Sequence, residues 1–176
     1  MDPLFAAVES SALSQWVRNA PTLWAFPFVL ILHTWGLAFL VGANVAIDAR
    51  ILGLAPGVPI ASLHRYYRVM WAGFWVNAVS GALLLIAYPT KALTNPLFYL
   101  KLALIAAALV MASAIRAATA VDGTSGEPSV SPSGETFPRR LRLLAAGSLF
   151  CWAASVAAGR LLAYTYSRLM VDELLP

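Results

Sequence analysis

The chain has 176 residues, of which 60% are hydrophobic and 11% are charged, and its formal net charge is +4. Soluble domains carry about 25% charged residues, so this composition and a mean hydropathy of +0.74 exclude a soluble globular protein. The basic excess does not indicate a nucleic-acid partner, because basic residues of membrane proteins flank the spans and face lipid headgroups. We therefore predict an integral membrane protein in contact with the lipid bilayer, with no nucleic acid as a partner.

The first predicted element is an amphipathic helix that precedes the spans. The segment "LFAAVESSALSQWVRN" repeats apolar residues at helical intervals and places Glu9 and Arg18 on the other face. This pattern predicts a helix at the outer membrane surface, and it also fits a short helix packed on the end of the bundle. The segment lacks the basic start and short apolar core of a signal peptide, so we expect it to be retained.

Four apolar stretches follow, at about residues 23–45, 69–88, 98–115 and 143–164. Each is close to the length of about 20 residues that crosses the hydrocarbon core. Residues 120–138 are rich in Gly, Ser and Pro without apolar periodicity, which predicts a flexible loop. The predicted fold is all-α: a polytopic integral membrane protein with a single domain over residues 1–176, a four-transmembrane-helix bundle with an N-terminal interfacial amphipathic helix.

The basic residues are distributed unevenly between the two sides of the predicted bundle. The larger set on one side is Arg50, Arg65, Arg68, Arg116, Arg139, Arg140 and Arg142. Basic residues in short loops are retained in the cytoplasm. We therefore expect both termini on the opposite, periplasmic side.

Small residues recur every four positions in two of the spans. They are Gly147, Cys151, Ser155 and Gly159 in the fourth span and Ala38, Gly42 and Ala46 in the first. Helices in lipid associate through close packing at small residues and through hydrogen bonds between helices. We expect both stripes to face neighbouring helices.

His33 lies inside the first span, near the middle of the bilayer at about 1.5 Å of rise per residue. Asn77, Ser80 and Ser155 fall at a similar depth, so the four side chains are predicted to form a polar layer across the bundle. One interpretation is that a neutral His33 ties helices together through hydrogen bonds. The other is that an ionisable group within the membrane marks a cofactor, quinone or proton site.

A haem b held by two histidines requires both ligands at one height. His64 is predicted at the cytoplasmic edge, about 18 Å from His33 along the membrane normal at that rise per residue, which argues against such a pair. A haem b or a quinone bound through His33 alone stays open as the cofactor interpretation. Because Cys151 is the only cysteine, no metal cluster of cysteines is expected.

Four charged residues mark the predicted membrane interfaces. Asp48 and Arg50 end the first span, where they can pair with each other or with Arg116. Arg160 lies near the outer end of the fourth span, where its long side chain can reach the headgroups. The sequence has no catalytic triad, phosphate-binding glycine loop or zinc signature, which disfavours an enzyme.

Four segments carry a resemblance over almost the whole chain: "LHTWGLAFLVGANVAIDARILGL", "WAGFWVNAVSGALLL", "TKALTNPLFYLKL" and "AAGRLLAY". On these motifs the chain resembles the domain of unknown function 6644 family, small four-helix proteins of the bacterial inner membrane. The resemblance implies that His33 matches the family's first-helix histidine, and it implies no activity, substrate or cofactor. Members often carry an acidic residue where Leu30 stands and a second histidine where Arg116 stands.

The predicted function is that of a non-catalytic membrane subunit or accessory protein. It would pack against a larger membrane assembly, such as a respiratory or other electron-transfer complex, with a membrane protein or a second copy of the chain as its partner. The alternative is a haem- or quinone-linked electron-transfer protein in which His33 is the cofactor ligand or the proton-active residue.

Overall fold

The computed structural model describes residues 3–58, 62–122 and 137–172. This part of the chain consists of helices joined by short connections. The helices are α1 (Pro3–Glu9), α2 (Ala12–Asn19), α3 (Phe26–Leu52), α4 (Leu63–Ala87), α5 (Pro89–Leu93), α6 (Pro96–Asp122) and α7 (Arg139–Asp172). Most of the predicted loop at residues 120–138 lies outside the described residues.

Four of these helices are long and apolar enough to cross a membrane. The candidate spans are Phe26–Leu52, Arg65–Ala87, Pro96–Thr119 and Arg139–Leu162. Large apolar side chains are exposed on all four, including Trp35, Trp75, Val110 and Phe150, as a lipid environment requires. The predicted all-α fold with four membrane-spanning helices is confirmed, and the chain is a multi-pass membrane protein.

The first span ends later than its hydropathy predicts, at Leu52 rather than near residue 45. The end is set by Gly53, which adopts a left-handed φ of 83°. Its N–H donates to the carbonyl of Arg50, and the N–H of Leu54 donates to that of Ala49, which is the hydrogen-bond pattern of a glycine-terminated helix. The helix therefore includes Asp48 and Arg50, although the apolar run stops before them.

The bundle is built from two helix pairs. α3 packs along α4 and α6 packs along α7, while contacts between α3 and α7 join the pairs. Arg50 lies over the ring of Phe137, and Arg116 lies over the ring of Tyr67. The end of α3, the start of α4, the end of α6 and the start of α7 therefore share one end of the bundle, which we call the arginine-rich end.

Two glycines allow the close approach of α3 and α4. A Cβ on Gly36 would lie 2.6 Å from the backbone nitrogen of Asn77, and a Cβ on Gly73 would lie 2.6 Å from that of Leu40. Real side chains do not occupy such distances, so any larger residue at either position forces the helices apart. This contact uses a different face of α3 from the predicted small-residue stripe.

The two predicted stripes differ in the structure. On α7, Cys151 and Ser155 are buried, and Cβ atoms on Gly147 and Gly159 would approach Met111 and Lys101 of α6. In the first-span stripe, Ala38 and Gly42 are exposed and do not pack against another of the described helices, and Ala46 is half-buried. Gly42 has nothing within 4 Å of an added Cβ. The expectation for this stripe is wrong within the chain, because α3 turns Gly36, Leu40 and Ala43 to the interior instead.

The N-terminal segment forms two short helices rather than one. Ser11 separates them and caps α2, with its Oγ accepting from the N–H of Ser14 at 3.3 Å. Val17 and Ser14 are fully buried, and α2 packs on α4. Thr90 of α5 donates to Glu9 at 2.8 Å. The segment is therefore packed on the bundle at the end opposite the arginine-rich end.

Candidate functional site

His33 lies against α4 and is bonded to it from both its side chain and its backbone. Its Nδ1 is 3.1 Å from the carbonyl oxygen of Asn77 and 3.2 Å from the Oγ of Ser80. In return, the side-chain amide of Asn77 donates to the carbonyl oxygen of His33 at 2.8 Å. We call His33, Asn77 and Ser80 the histidine cluster.

The acceptors around Nδ1 determine where His33 carries its proton. The carbonyl of Asn77 can only accept, and the Ser80 hydroxyl already donates to the carbonyl of Val76 at 2.6 Å. Both oxygens therefore receive from Nδ1, which we assign as the protonated nitrogen. The side-chain amide of Asn77 is also 3.3 Å from Nδ1, and in this assignment it donates to the His33 carbonyl instead. A neutral His33 then holds the lone pair on Nε2, the nitrogen away from these bonds.

Gly81 makes room for the imidazole ring on the surface of α4. A Cβ at this position would lie 3.1 Å from Cε1 of His33. Asn77, Ser80 and Gly81 occupy successive positions on one face of the helix, because residues three and four apart lie side by side. The ring thus rests in a groove of α4 that these residues form together.

Three of the four residues predicted for the polar layer are brought together, and the fourth is not. Ser155 is buried, but its hydroxyl donates to the carbonyl of Trp152 in its own helix at 3.0 Å. Such a bond satisfies a hydroxyl without linking two helices. Ser155 therefore belongs to the packing face of α7 rather than to the histidine cluster.

Sequence reasoning missed the position of Lys101. Its Nζ would lie 3.6 Å from a Cβ on Gly159, so the side chain runs along the small-residue face of α7. The sequence does contain a signal for this position, because Lys101 lies little more than one turn after Pro96, which begins the third span.

A second polar group, also missed as a group, lies where α3 contacts α7. It consists of Asn44, Asp48, Ser148 and Trp152, which are all at most 1% exposed, and we call it the aspartate cluster. The side-chain amide of Asn44 donates to the Oγ of Ser148 at 2.9 Å, and Asp48 lies one turn from Asn44 on the same face of α3. The i, i+4 spacing of Asn44 and Asp48, repeated by Ser148 and Trp152, is the signal that predicts two facing polar pairs.

The hydrogen bonds of the aspartate cluster are incomplete. Both carboxyl oxygens of Asp48, Oδ1 of Asn44 and Nε1 of Trp152 are buried and have no hydrogen-bond partner among the described residues. Buried polar atoms are bonded in the great majority of cases. Four such atoms, carried by the two helices that meet at the α3–α7 contact, therefore require an explanation.

The predicted interface charges are placed differently from expectation. Among the described residues Asp48 does not pair with an arginine. Arg50 donates from Nε to the carbonyl of Val58 at 2.7 Å, and the Arg116 guanidinium lies over the ring of Tyr67. The expectation was wrong because α3 continues past Asp48 and turns this residue inward. Arg160 is exposed, as a side chain that reaches toward headgroups would be.

Haem and transition-metal ligation have little support beyond His33. The described residues contain no group of three or more His, Cys, Asp or Glu side chains placed to hold a metal ion. The side chain of His64 lies outside the described part of the chain, and Cys151 is a buried free thiol. His33 is therefore the one predicted cofactor ligand for which the structure gives a geometry.

Comparisons with known proteins supply no role that can be transferred. No family model, curated protein or solved structure matches the chain. The resemblance to the domain of unknown function 6644 family stays a prediction from the motifs.

Proposed function

We propose that this chain is a non-catalytic subunit or accessory protein that packs against a transmembrane helix of a larger assembly, such as an electron-transfer complex. We place it in the bacterial inner membrane with both termini in the periplasm, in keeping with the arginine distribution and the motif resemblance. The observation that carries the proposal is the outward face of α3. There, small residues are open to the surroundings instead of packing within the chain.

This outward face has the shape of a notch between large side chains. Ala38 and Gly42 are exposed at its centre, and nothing lies within 4 Å of a Cβ on Gly42. Trp35 and Phe39 beside them are 62% and 56% exposed. A small residue at a helix surface does not improve packing against lipid, whereas it allows a second helix to approach closely.

Small residues also allow the close contact between α3 and α4 within the chain. Gly36 and Gly73 bring those two backbones so close that an added Cβ would meet backbone atoms at 2.6 Å. The notch around Gly42 lies on the other side of α3 and offers a similar approach to a helix from outside. A partner helix would find the aromatic rings of Trp35 and Phe39 at its edges.

The test of this proposal is Gly42→Leu, which fills the notch. We expect the variant to lose its complex in gently solubilised native membranes, read as a smaller species in native electrophoresis. The thermal stability of the isolated chain should not change, because nothing among the described residues lies within 4 Å of a Cβ on Gly42. Ala106→Leu, at an exposed small residue on α6, is the matched control and should leave the complex intact.

A complex that survives Gly42→Leu would contradict the proposal. A photo-crosslinking amino acid at Phe39 identifies the occupant of the notch. A product of twice the mass of the chain would assign it to a second copy. A heavier product with another protein would assign it to the larger assembly.

The alternative function, cofactor binding at His33, has its own supporting observation. An imidazole that ligates a metal commonly donates its other N–H to a carbonyl or hydroxyl, which orients the ring, and Asn77 and Ser80 accept from Nδ1 in this way. The remaining Nε2 lone pair suits haem iron, or the hydroxyl of a reduced quinone. The geometry therefore fits one ligand of a haem b or one contact to a quinol.

An ultraviolet-visible spectrum separates the two functions. If His33 ligates haem b, protein purified from its native membrane shows a Soret band that shifts on reduction with dithionite and disappears in His33→Ala. A colourless wild-type chain that travels in a complex supports the subunit role. In that role, His33→Gln should retain the complex, because glutamine can still donate to the carbonyl of Asn77.

A further inference from the structure

The aspartate cluster places a carboxyl group in the interior of the bundle, and among the described residues this group has no basic partner. Asp48 is 0% exposed, and neither of its oxygens has a hydrogen-bond partner among the described residues. A buried carboxylate is strongly disfavoured unless a positive charge compensates it. A single positive charge at this place would make the site neutral, whereas a divalent ion would leave an excess charge in the apolar core.

The unpartnered atoms indicate the kind of positive charge that fits. Three of them are oxygens, two from Asp48 and one from Asn44, and the Oγ of Ser148 is adjacent. Carboxylate, amide and hydroxyl oxygens are the ligands that hard metal cations prefer. A proton on Asp48 would engage one of these oxygens directly, whereas a metal cation binds several at once.

The fourth unpartnered atom, the N–H of Trp152, is a donor and cannot face a cation directly. A water molecule bound to the cation can accept this N–H through its oxygen, since buried waters typically satisfy otherwise unpaired polar groups. One cation and one water therefore account for all four unpartnered atoms.

We propose that the aspartate cluster binds one monovalent metal cation, for which Na⁺ is the probe. Asp48 and Asn44 from α3 and Ser148 from α7 supply the oxygens, and Trp152 holds the water. The ion would join α3 to α7, the contact that connects the two helix pairs. Asp48 is four residues from the end of α3, about 6 Å at 1.5 Å per residue, so the ion would enter from the arginine-rich end.

The experiment measures thermal unfolding of the full-length chain in detergent, in sodium chloride or choline chloride of equal ionic strength. Choline is too large to enter a closed core, so it controls for ionic strength. We expect a saturable rise of Tm in sodium chloride only. Asp48→Asn keeps the shape and removes the charge, and should lose this rise; Asn44→Leu should weaken the apparent sodium affinity about tenfold or more, the scale on which loss of a supporting group acts at metal sites.

Glu9→Gln is the matched control variant. It also removes one carboxylate, but from α1 at the other end of the bundle, where glutamine can still accept from Thr90. The sodium-dependent rise should persist in it. A rise that persists in Asp48→Asn, or equal stability of the wild type in both salts, would overturn the proposal.

Direct binding decides the matter if Asp48→Asn does not fold. Radioactive sodium should bind saturably to the wild-type chain, at about one ion per chain, and unlabelled sodium but not choline should displace it. Absence of saturable binding overturns the proposal. Stabilisation of the wild type by acid without any sodium effect also overturns it, because the occupant of Asp48 is then a proton.

Discussion

The two polar clusters share α3 but differ in how completely their hydrogen bonds are made. In the histidine cluster, Asn77 donates to the backbone of His33 and its carbonyl accepts from the ring. In the aspartate cluster, Asn44 makes one bond to Ser148 while its other polar atom and the Asp48 carboxyl have no partner among the described residues. The first cluster therefore links α3 and α4 by bonds in both directions, whereas the second leaves four buried polar atoms without a partner among the described residues.

This difference distinguishes buried polar side chains that hold two helices together from buried polar side chains that can bind a ligand. A satisfied cluster stabilises a helix contact, although each such bond contributes only about 0.6 kcal/mol on average. An unsatisfied buried group costs about 1–3 kcal/mol, a cost that a scaffold has no reason to retain. The aspartate cluster is for this reason the stronger candidate for a ligand site, although His33 is the more conspicuous residue in the sequence.

The largest expected effect comes from separating the helices beneath the histidine cluster. Gly36→Ala places a Cβ 2.6 Å from the backbone of Asn77, so α3 and α4 must move apart and the bonds of His33 must break. We expect a loss of about 3 kcal/mol, the upper part of the range for overpacking. Thermal or denaturant unfolding in detergent measures it, with Gly42→Ala as the control that should remain at wild-type stability.

An intermediate effect tests the comparison directly through two asparagines. Asn77→Leu removes the bond to the backbone of His33 and should cost about 1.5 kcal/mol, near the maximum for polar contacts in a membrane protein. Asn44→Leu, measured without sodium, should cost less than half as much, since it also removes an oxygen that has no partner. Equal losses in the two variants would show that the clusters do not differ as the structure indicates.

The smallest expected effects concern two serines of similar burial. Ser80→Ala removes one acceptor of His33 and should lower the free energy of unfolding by about 0.6 kcal/mol. Ser155→Ala should leave it unchanged, because the hydroxyl bonds only to its own helix. If Ser155→Ala lowered the free energy of unfolding more than Ser80→Ala does, Ser155 would belong to the polar layer and its assignment to α7 packing would be contradicted.

The sequence predicted the histidine cluster better than the aspartate cluster. The predicted depth in the membrane was enough to place His33, Asn77 and Ser80 together, since residues of neighbouring spans at the same depth can meet. Ser155 lies at a similar depth, but its predicted place in the polar layer was wrong, because depth does not report the direction of a side chain. Asp48 was placed at the interface because the apolar run stops before it, whereas Gly53 terminates the helix more than one turn later.

The sequence by itself determined that the chain is a helical membrane protein with four apolar runs long enough to cross the bilayer. Those features depend on composition and on the length of apolar runs, which are local properties. Only the tertiary structure decided that α3 turns Gly36 and Asp48 inward and Gly42 outward. In lipid almost every face of a helix is apolar, so hydrophobic periodicity does not mark the buried side, and the rotation of each helix is settled by how closely its small and polar residues fit against a neighbour.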